Sequence, residues 1–323
     1  MKILVTGCAG FIGFHLCHEI LNSKKNIKVI GVDNLNNYYS QSLKNKRLQI
    51  LKKDKRFKFY KINISNYKNL ELLFKKNKFK FIINLAAQAG VRYSISNPKD
   101  YVNSNIVGFF NLAELSRIYK VEKILYASSS SVYGEKKIFP LKESNKIYPK
   151  NIYFLSKKNN EEIAEIYSNY YNIKFIGLRL FTVYGEWGRP DMLILKYILS
   201  KFSGKKFYLN NYGKHYRDFT YISDVIKNIL ILTKKNLKNK NTIVNICYGK
   251  PVSLKIILDK LDSVFGKPKI IQRSKQLADV YKTHGSNTKL KEITGFKNYT
   301  NIDTGLKKLI NWAMKNKKFL SKI

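Results

Sequence analysis

An α/β fold built on a doubly wound parallel sheet is the class this sequence predicts, and three observations predict it. Short β-branched runs alternate with stretches of helical periodicity through the first half of the chain, the pattern of βαβ crossovers. A glycine-rich turn follows the first run directly, and an acidic residue closes the second. The chain has 323 residues, 44% of them hydrophobic. That is enough for one large α/β unit or two domains with a buried core, and too apolar for a disordered chain.

In order, the runs are KILVT at 2–6, IKVIGV at 27–32, FKFYKI at 57–62, KFIINLA at 80–86, EKILYAS at 122–128 and IKFIGLRL at 173–180. Helical periodicity fills 98–119 and 151–171, and a lysine-rich helix is expected near 303–317. Beyond about residue 180 the pattern loosens. The expected division is 1–177 for a dinucleotide-binding domain and 178–323 for a smaller, mainly substrate-binding domain, with the chain crossing back to the first. No repeat and no low-complexity linker interrupts it.

Charge is the largest compositional departure. Sixty-one basic residues face 21 acidic ones, a net +40, which by itself would suggest nucleic acid. Only eight are arginine, and the lysines are scattered among asparagines and isoleucines, the bias of an AT-rich genome. Binding arms concentrate charge in a block or on one face, and no block stands apart here. No specific nucleic-acid partner is expected, and a binding protein on a dinucleotide fold is the rival from another class. Cys8, Cys17 and Cys247 form neither a disulfide ladder nor a metal pattern, so no metal is expected. No run approaches the roughly 18 apolar residues of a membrane span, and the apolar run of MKILVTG is too short for a signal peptide. The expectation is a soluble cytoplasmic protein with no membrane partner.

The first run leads into Gly7-Cys8-Ala9-Gly10-Phe11-Ile12-Gly13 and then an apolar helix. Such a turn lets backbone approach a pyrophosphate closely and aims a helix N-terminus at its charge. Glycine triplets also close ordinary βα turns; the strand before and the helix after supply the context a dinucleotide site requires. Twenty residues past Gly13 the second run ends in Asp33-Asn34. A carboxylate there accepts from both adenosine ribose hydroxyls and repels a 2′-phosphate, so NAD is expected rather than NADP.

The fifth run ends in Ser128-Ser129-Ser130-Ser131, and Tyr153 and Lys157 follow one helical turn apart, on one face. A free tyrosine has a pKa of about 10. An ammonium close by, together with a nicotinamide's positive charge, would stabilise the phenolate and make Tyr153 a general base. A serine hydroxyl can relay the proton. In so lysine-rich a chain the pair alone means little; it is the order of glycine turn, serine-ended strand and Tyr-x-x-x-Lys that carries the reading.

These segments, with VDNLNNYY, NLAAQAGVRYSISNP, YASSSSVYG, YFLSK, FTVYGEWGRPDM and YGKHYRDFTYISDV, resemble the extended short-chain dehydrogenase/reductases. Within them the chain is most similar to NAD-dependent nucleotide-sugar epimerases of the UDP-glucuronate 4-epimerase type, over nearly its whole length. The resemblance implies a Rossmann domain, Tyr153 and Lys157 as catalytic pair, and Ser129 with Ser130 as hydroxyl partners. It places Gly7, Gly10, Phe11, Ile12, Gly13, Asp33, Asn34, Asn63, Ile64, Leu85, Ala86, Ala87, Asn105, Lys157 and Phe181 around the cofactor. It places Arg92, Ser129, Tyr153, Thr182, Arg189 and Arg217 around a UDP-sugar, Arg217 by the diphosphate, and implies a homodimer. Two departures stand out. Asn63-Ile64 replaces the family's Asp-Ile at the adenine, and Ala278-Asp279-Val280 replaces Gly-Asp-Val, with His284-Gly285 following.

The expected reaction is reversible oxidation at C4 of UDP-glucuronate and return of hydride to the other face, giving UDP-galacturonate. Its 4-keto intermediate is a β-keto acid, so its carboxylate must be held out of line with the carbonyl. Thr182 with the serines, or Arg92 and Arg189, are the candidates. A 4,6-dehydratase would need an acidic pair that Ser129-Ser130-Ser131 does not supply. UDP-glucuronate decarboxylase and 4-epimerases of UDP-glucose or UDP-N-acetylglucosamine remain the alternatives within the class.

Overall fold

The computed structural model describes residues 1–23, 26–276 and 279–323; Ala278 of the second departure lies outside them. Seven strands form one wholly parallel sheet: β1 (Lys2–Thr6), β2 (Lys28–Asp33), β3 (Phe57–Lys61), β4 (Phe81–Asn84), β5 (Lys123–Ser129), β6 (Lys174–Leu180) and, from far later in the chain, a strand at Asn241–Ile246. Between β6 and that strand come β7 (Thr182–Tyr184), β8 (Phe207–Asn210) and β9 (Tyr216–Tyr221), which makes it β10. The order β10-β6-β5-β4-β1-β2-β3 reverses direction between β1 and β4, and ligands of such sheets bind in the crevice beyond the strand ends there.

Every one of the six expected strands is present, with ends shifted by up to two residues. They form because nearly continuous apolar runs bury both faces. Within β1, Ile3 and Val5 point into one core and Leu4 into the other, the alternation a strand imposes. One face is covered by α1 (Phe11–Asn22) and α9 (Ile222–Lys234), the other by α3 (Tyr67–Lys75), α6 (Gly108–Ile118) and α7 (Ile152–Tyr171). Asn151 caps α7 by accepting from Phe154 N at 3.1 Å, and Asn172 ends it in the left-handed region at φ 53.

The expected helix at 98–119 differs in its middle. Pro98–Tyr101 and α6 flank a wide π-helical turn over Val102–Val107; such turns often mark functional positions. Past β6, a three-stranded sheet (β7, β9 and β11, Pro251–Ser253) and a parallel pair (β8 with β12, Ile270–Arg273) join α8 (Leu193–Ser203), α10 (Leu254–Phe265) and α12 (Ile302–Lys315). Their apolar faces (Leu195, Ile257, Leu261, Leu309) continue the core under α1 without a break.

Candidate active site

A cleft of about 770 Å³ runs along the C-terminal ends of the strands from the glycine turn to β8. At its first end the backbone makes the site. Gly7 sits at φ 69, and a Cβ there would lie 2.7 Å from Ala86 N; a Cβ at Gly13 would overlap the Gly7 carbonyl. Gly10 N donates to Gly7 O at 2.9 Å, and α1 starts at Gly10 with no side-chain cap and no acid in its first turn. The first-turn N–H groups of that helix are therefore left to a ligand, with the positive end of the dipole behind them. Thr6 Oγ1 receives Ala86 N at 3.2 Å and so anchors the Leu85-Ala86-Ala87 turn opposite.

Asp33 is buried at the end of β2, its two oxygens accepting from Ala9 N at 3.1 Å and Leu35 N at 2.9 Å. Burial raises its pKa, against those bonds and the charges of Lys44 and Arg47. Each oxygen keeps a lone pair for a ribose hydroxyl. Lys44 also lines the cleft and was not anticipated; its Nζ donates to Asn36 O at 2.6 Å. Phe11, Ile12, Asn34, Asn63, Ile64 and Phe181 all line the cleft. Asn63 Oδ1 takes Ser65 N at 3.2 Å, leaving one lone pair for an adenine amino group.

Asn105 is the exception among the expected cofactor residues. It does not line the cleft. It is buried in the π-helical turn, where Oδ1 accepts from Gln88 N at 2.8 Å and Nδ2 donates to Gln88 O at 3.1 Å and Ser156 Oγ at 3.0 Å. The wide turn swings its amide behind the β4 loop, so Asn105 braces the wall from outside.

In the middle of the cleft Tyr153 and Ser129 line the same wall, and the Ser129 hydroxyl favours the tyrosine's phenolate form. Ser129 Oγ also accepts from Ser131 N at 3.1 Å, whereas Ser130 begins a short helical turn and lines the wall beside it. Lys157 is buried and gives its Nζ to Ala127 O at 2.7 Å. Burial pushes it down to about 8, offset by Glu161, so it is still mainly ammonium at neutral pH. The expectation that the lysine lowers the tyrosine's pKa needs correction for the chain alone. Burial raises Tyr153, and what opposes it is the Ser129 hydroxyl and the charge of Arg189; Lys157 is turned to the β5 carbonyl. The i, i+4 series continues to Glu161, which accepts from Ser128 Oγ at 2.6 Å and pairs with buried Arg179 at 2.7 Å. That third member was visible in the spacing and was missed.

The far end holds three arginines from three segments. Arg189 is forked on Asp191, at 3.0 Å from Nε and 2.5 Å from the terminal nitrogen, and Tyr38 donates to the same carboxylate at 3.0 Å. Burial works against Asp191, but Arg189 holds its carboxyl below the usual range. Arg92 pairs with Asp279 at 2.7 Å. Arg217 forms no ion pair among the described residues; it donates to Tyr216 O at 2.8 Å, Tyr281 O at 3.1 Å and Val280 O at 2.8 Å, and burial pulls it down to about 10, offset by the charge of Asp279. Beside it Asp218 gathers backbone N–H groups of Tyr248, Gly249 and Gly285, with burial raising it to about 6. Gly285 leaves room for the Phe181 ring, 2.5 Å from where a Cβ would be, and His284 stacks on Phe139 outside it. The carboxylates Asp191 and Asp279 and the hydroxyl of Tyr38 carried no sequence signal of pairing, since their partners are distant or implied only by chain order. Thr182 starts β7 on the cleft wall, its hydroxyl without a partner among the described residues.

Among the described residues no group of three or more His, Cys, Asp or Glu could hold a metal, no helix is long and apolar enough to cross a membrane, and the cysteines are free and buried. The cradle fits a dinucleotide: glycines no Cβ could replace, an uncapped helix start and a carboxylate at the ribose position.

Comparison with known proteins agrees with that geometry. Staphylococcus aureus protein CapI is 40% identical over 97% of this chain and 98% of its own. A UDP-glucuronate 4-epimerase of Thermodesulfobacterium geofontis is 38% identical over 99% and 98%. The crystal structure of Bacillus cereus UDP-glucuronic acid 4-epimerase, in complex with UDP-glucuronic acid and NAD, superposes with a TM-score of 0.91 at 29% identity, covering 98% of this chain and 99% of that one. Residues 3–247 match the family itself, so the chain belongs to the NAD dependent epimerase/dehydratase family.

Proposed function

We propose that this protein interconverts UDP-glucuronate and UDP-galacturonate by NAD-dependent epimerisation at C4. The observation that carries the reading is Tyr153 beside Ser129 and Ser130 on the mid-cleft wall, with a dinucleotide cradle at one end and Arg217, which forms no ion pair among the described residues, at the other. Bound NAD supplies a reversible hydride acceptor for C4. Tyr153, as phenolate, removes the O4 proton and later returns it, and Ser129 holds O4 and passes the proton. Lys157 fixes the end of β5 and supplies positive charge. Residues 1–177 serve mainly the cofactor and 178–323 mainly the sugar nucleotide. Arg217 serves the diphosphate, because it lines the cleft and spends its hydrogen bonds only on neutral backbone carbonyls. Thr182 with Ser129 or Ser130 holds the carboxylate out of overlap with the C4 carbonyl.

A homodimer would cover the outer faces of α6 and α7, where Phe110, Ile118, Leu155, Ile166 and Tyr170 are exposed, with Val107 just before α6; exposed apolar side chains on neighbouring helices are what an interface buries. Free buried cysteines suit the cytoplasm. An NMR time course on UDP-glucuronate tests the function. UDP-galacturonate is the expected product; UDP-xylose would make the protein a decarboxylase, and no turnover beside conversion of a neutral UDP-hexose would move the substrate.

A further inference from the structure

Arg47, on α2 (Gln41–Leu51), is wholly buried, yet among the described residues it forms no ion pair. Its guanidinium is spent on neutral oxygens. One terminal nitrogen donates to Ala9 O at 2.8 Å and the Tyr39 hydroxyl at 2.9 Å; the other donates to Trp187 O at 2.5 Å and Gly188 O at 2.9 Å. Ala9 lies inside the glycine cradle, and Trp187 and Gly188 immediately precede Arg189.

A second basic side chain acts on the same loop. His15 of α1 meets Glu186 O at 2.8 Å. A carbonyl only accepts, so Nε2 carries the proton, and burial lowers the His15 pKa to about 4, keeping the ring neutral. Three successive carbonyls, 186, 187 and 188, are thus held by side chains of the two helices that frame the cofactor cradle. Lining them up requires Trp187 at φ 55 and Gly185 at φ 147. Left-handed backbone at a tryptophan persists only where surroundings over-determine it. Here the indole is packed on Phe14 at 5.7 Å and Trp312 at 5.2 Å.

Burying a cation on neutral acceptors is costly beside an apolar filler of the same volume, so stability does not account for this arrangement. What it does account for is a mechanical link between the cradle and the loop that carries Arg189 and Asp191. We infer that Arg47 is a positioning residue that couples the two ligand sites: by tying Ala9 to residues 187–188 it makes presentation of Arg189 to the sugar nucleotide depend on an ordered glycine cradle. The inference rests on the functional reading above. Coupling of this kind is reciprocal in free energy.

The test is calorimetric titration of UDP into cofactor-free and NAD-loaded protein, with steady-state kinetics on UDP-glucuronate, for wild type, Arg47→Met and Arg47→Lys. Lysine keeps the charge and the stem but cannot span four acceptors, and it guards against a methionine variant that does not fold. In wild type, NAD should tighten UDP binding by fivefold or more. In a folded variant that enhancement should vanish, with KM for the sugar nucleotide raised about tenfold and kcat within about threefold. A lower melting temperature with KM and the NAD effect unchanged would overturn the inference, as would wild-type UDP affinity indifferent to NAD. UDP binding to neither form of the wild type would overturn the functional reading itself.

Discussion

The two ends of the cleft are built from different material. The cofactor end is backbone. Glycines at 7, 10 and 13, the start of α1 and the carbonyl of Gly7 define it within seven residues of chain, and Asp33 joins through bonds to Ala9 N and Leu35 N. The opposite end, proposed above for the sugar nucleotide, is side chains brought from afar. Arg92 meets Asp279 across 187 positions, Tyr38 meets Asp191 across 153, and Arg217 meets Val280 across 63. Backbone shape tolerates no added atom, whereas a polar side-chain network can lose a member and be partly re-formed by neighbours or water. The contrast predicts all-or-none responses at one end and graded ones at the other.

Gly13→Ala should show the largest effect. Its methyl would occupy the space of the Gly7 carbonyl oxygen, and neither backbone can yield without opening the turn. Loss of measurable NAD binding in a titration is expected, with destabilisation of about 3 kcal/mol or more, the scale of overpacking plus backbone strain. A variant that binds NAD within tenfold of wild type would erase the contrast.

Tyr153→Phe comes next, since it removes a proton acceptor and leaves both ends of the cleft standing. Turnover should fall by about 10²–10⁴ while UDP and NAD affinities stay within a few-fold. Lys157→Met should cost less at alkaline pH than at neutral pH, because wild-type Lys157 itself loses its charge as pH rises through about 8. A loss equal at every pH would leave the lysine with only its bond to Ala127 O.

That division also governs what could be read from the sequence. The cradle was legible because its geometry is a property of contiguous residues, and the six strands because each is a nearly continuous apolar run. That Tyr153, Lys157 and Ser129 meet in one cleft was legible by order and helical spacing. Asn105 was placed at the cofactor by resemblance alone, and its bonds to Gln88 and Ser156 from within the π-helical turn at 102–107 had no signal in the spacing. The pairing of Arg92 and Arg189 was invisible: nothing in the spacing of Arg92 and Asp279 announces contact, and an Arg and Asp two apart need not meet. Arg47 looked like one of many cations, since burial is decided by packing that composition does not reveal.

Among the arginines, graded effects should follow the partners seen. Arg217→Met removes a cation that forms no ion pair among the described residues, so a diphosphate would lose its donor outright. KM for UDP-glucuronate should rise about tenfold to a hundredfold, the worth of one charge-assisted bond. Asp279→Asn, which releases Arg92 from its ion pair, should change KM by less than about fivefold, because Arg92 stands half-exposed and such a pair contributes little. Equal effects at Arg217 and Asp279 would mean that both ends of the network meet the substrate alike.

The smallest expected effect is a change of product at Thr182. Its hydroxyl lines the cleft on β7, next to buried Phe181, with no protein partner among the described residues, so it can both donate and accept towards a ligand. A 4-keto uronate loses carbon dioxide when the bond to its carboxylate aligns with the carbonyl π system. Holding the carboxylate in another rotamer is then a kinetic requirement of clean epimerisation. A hydrogen bond to a charged group is worth about 1.5–3 kcal/mol, a factor of roughly ten to a hundred in the ratio of two competing steps. Ser129 and Ser130 would retain part of the hold, so epimerisation should remain the main reaction. Thr182→Val keeps the shape of the side chain and removes only the hydroxyl. It should epimerise UDP-glucuronate more slowly and release a small but measurable fraction of carbon dioxide and UDP-4-keto-pentose, detected by labelled carboxylate and by NMR. A variant that stays clean at full rate would transfer the carboxylate to Arg92 or Arg189, and would show that the sugar end holds its substrate by charge at the reacting ring as well as at the diphosphate.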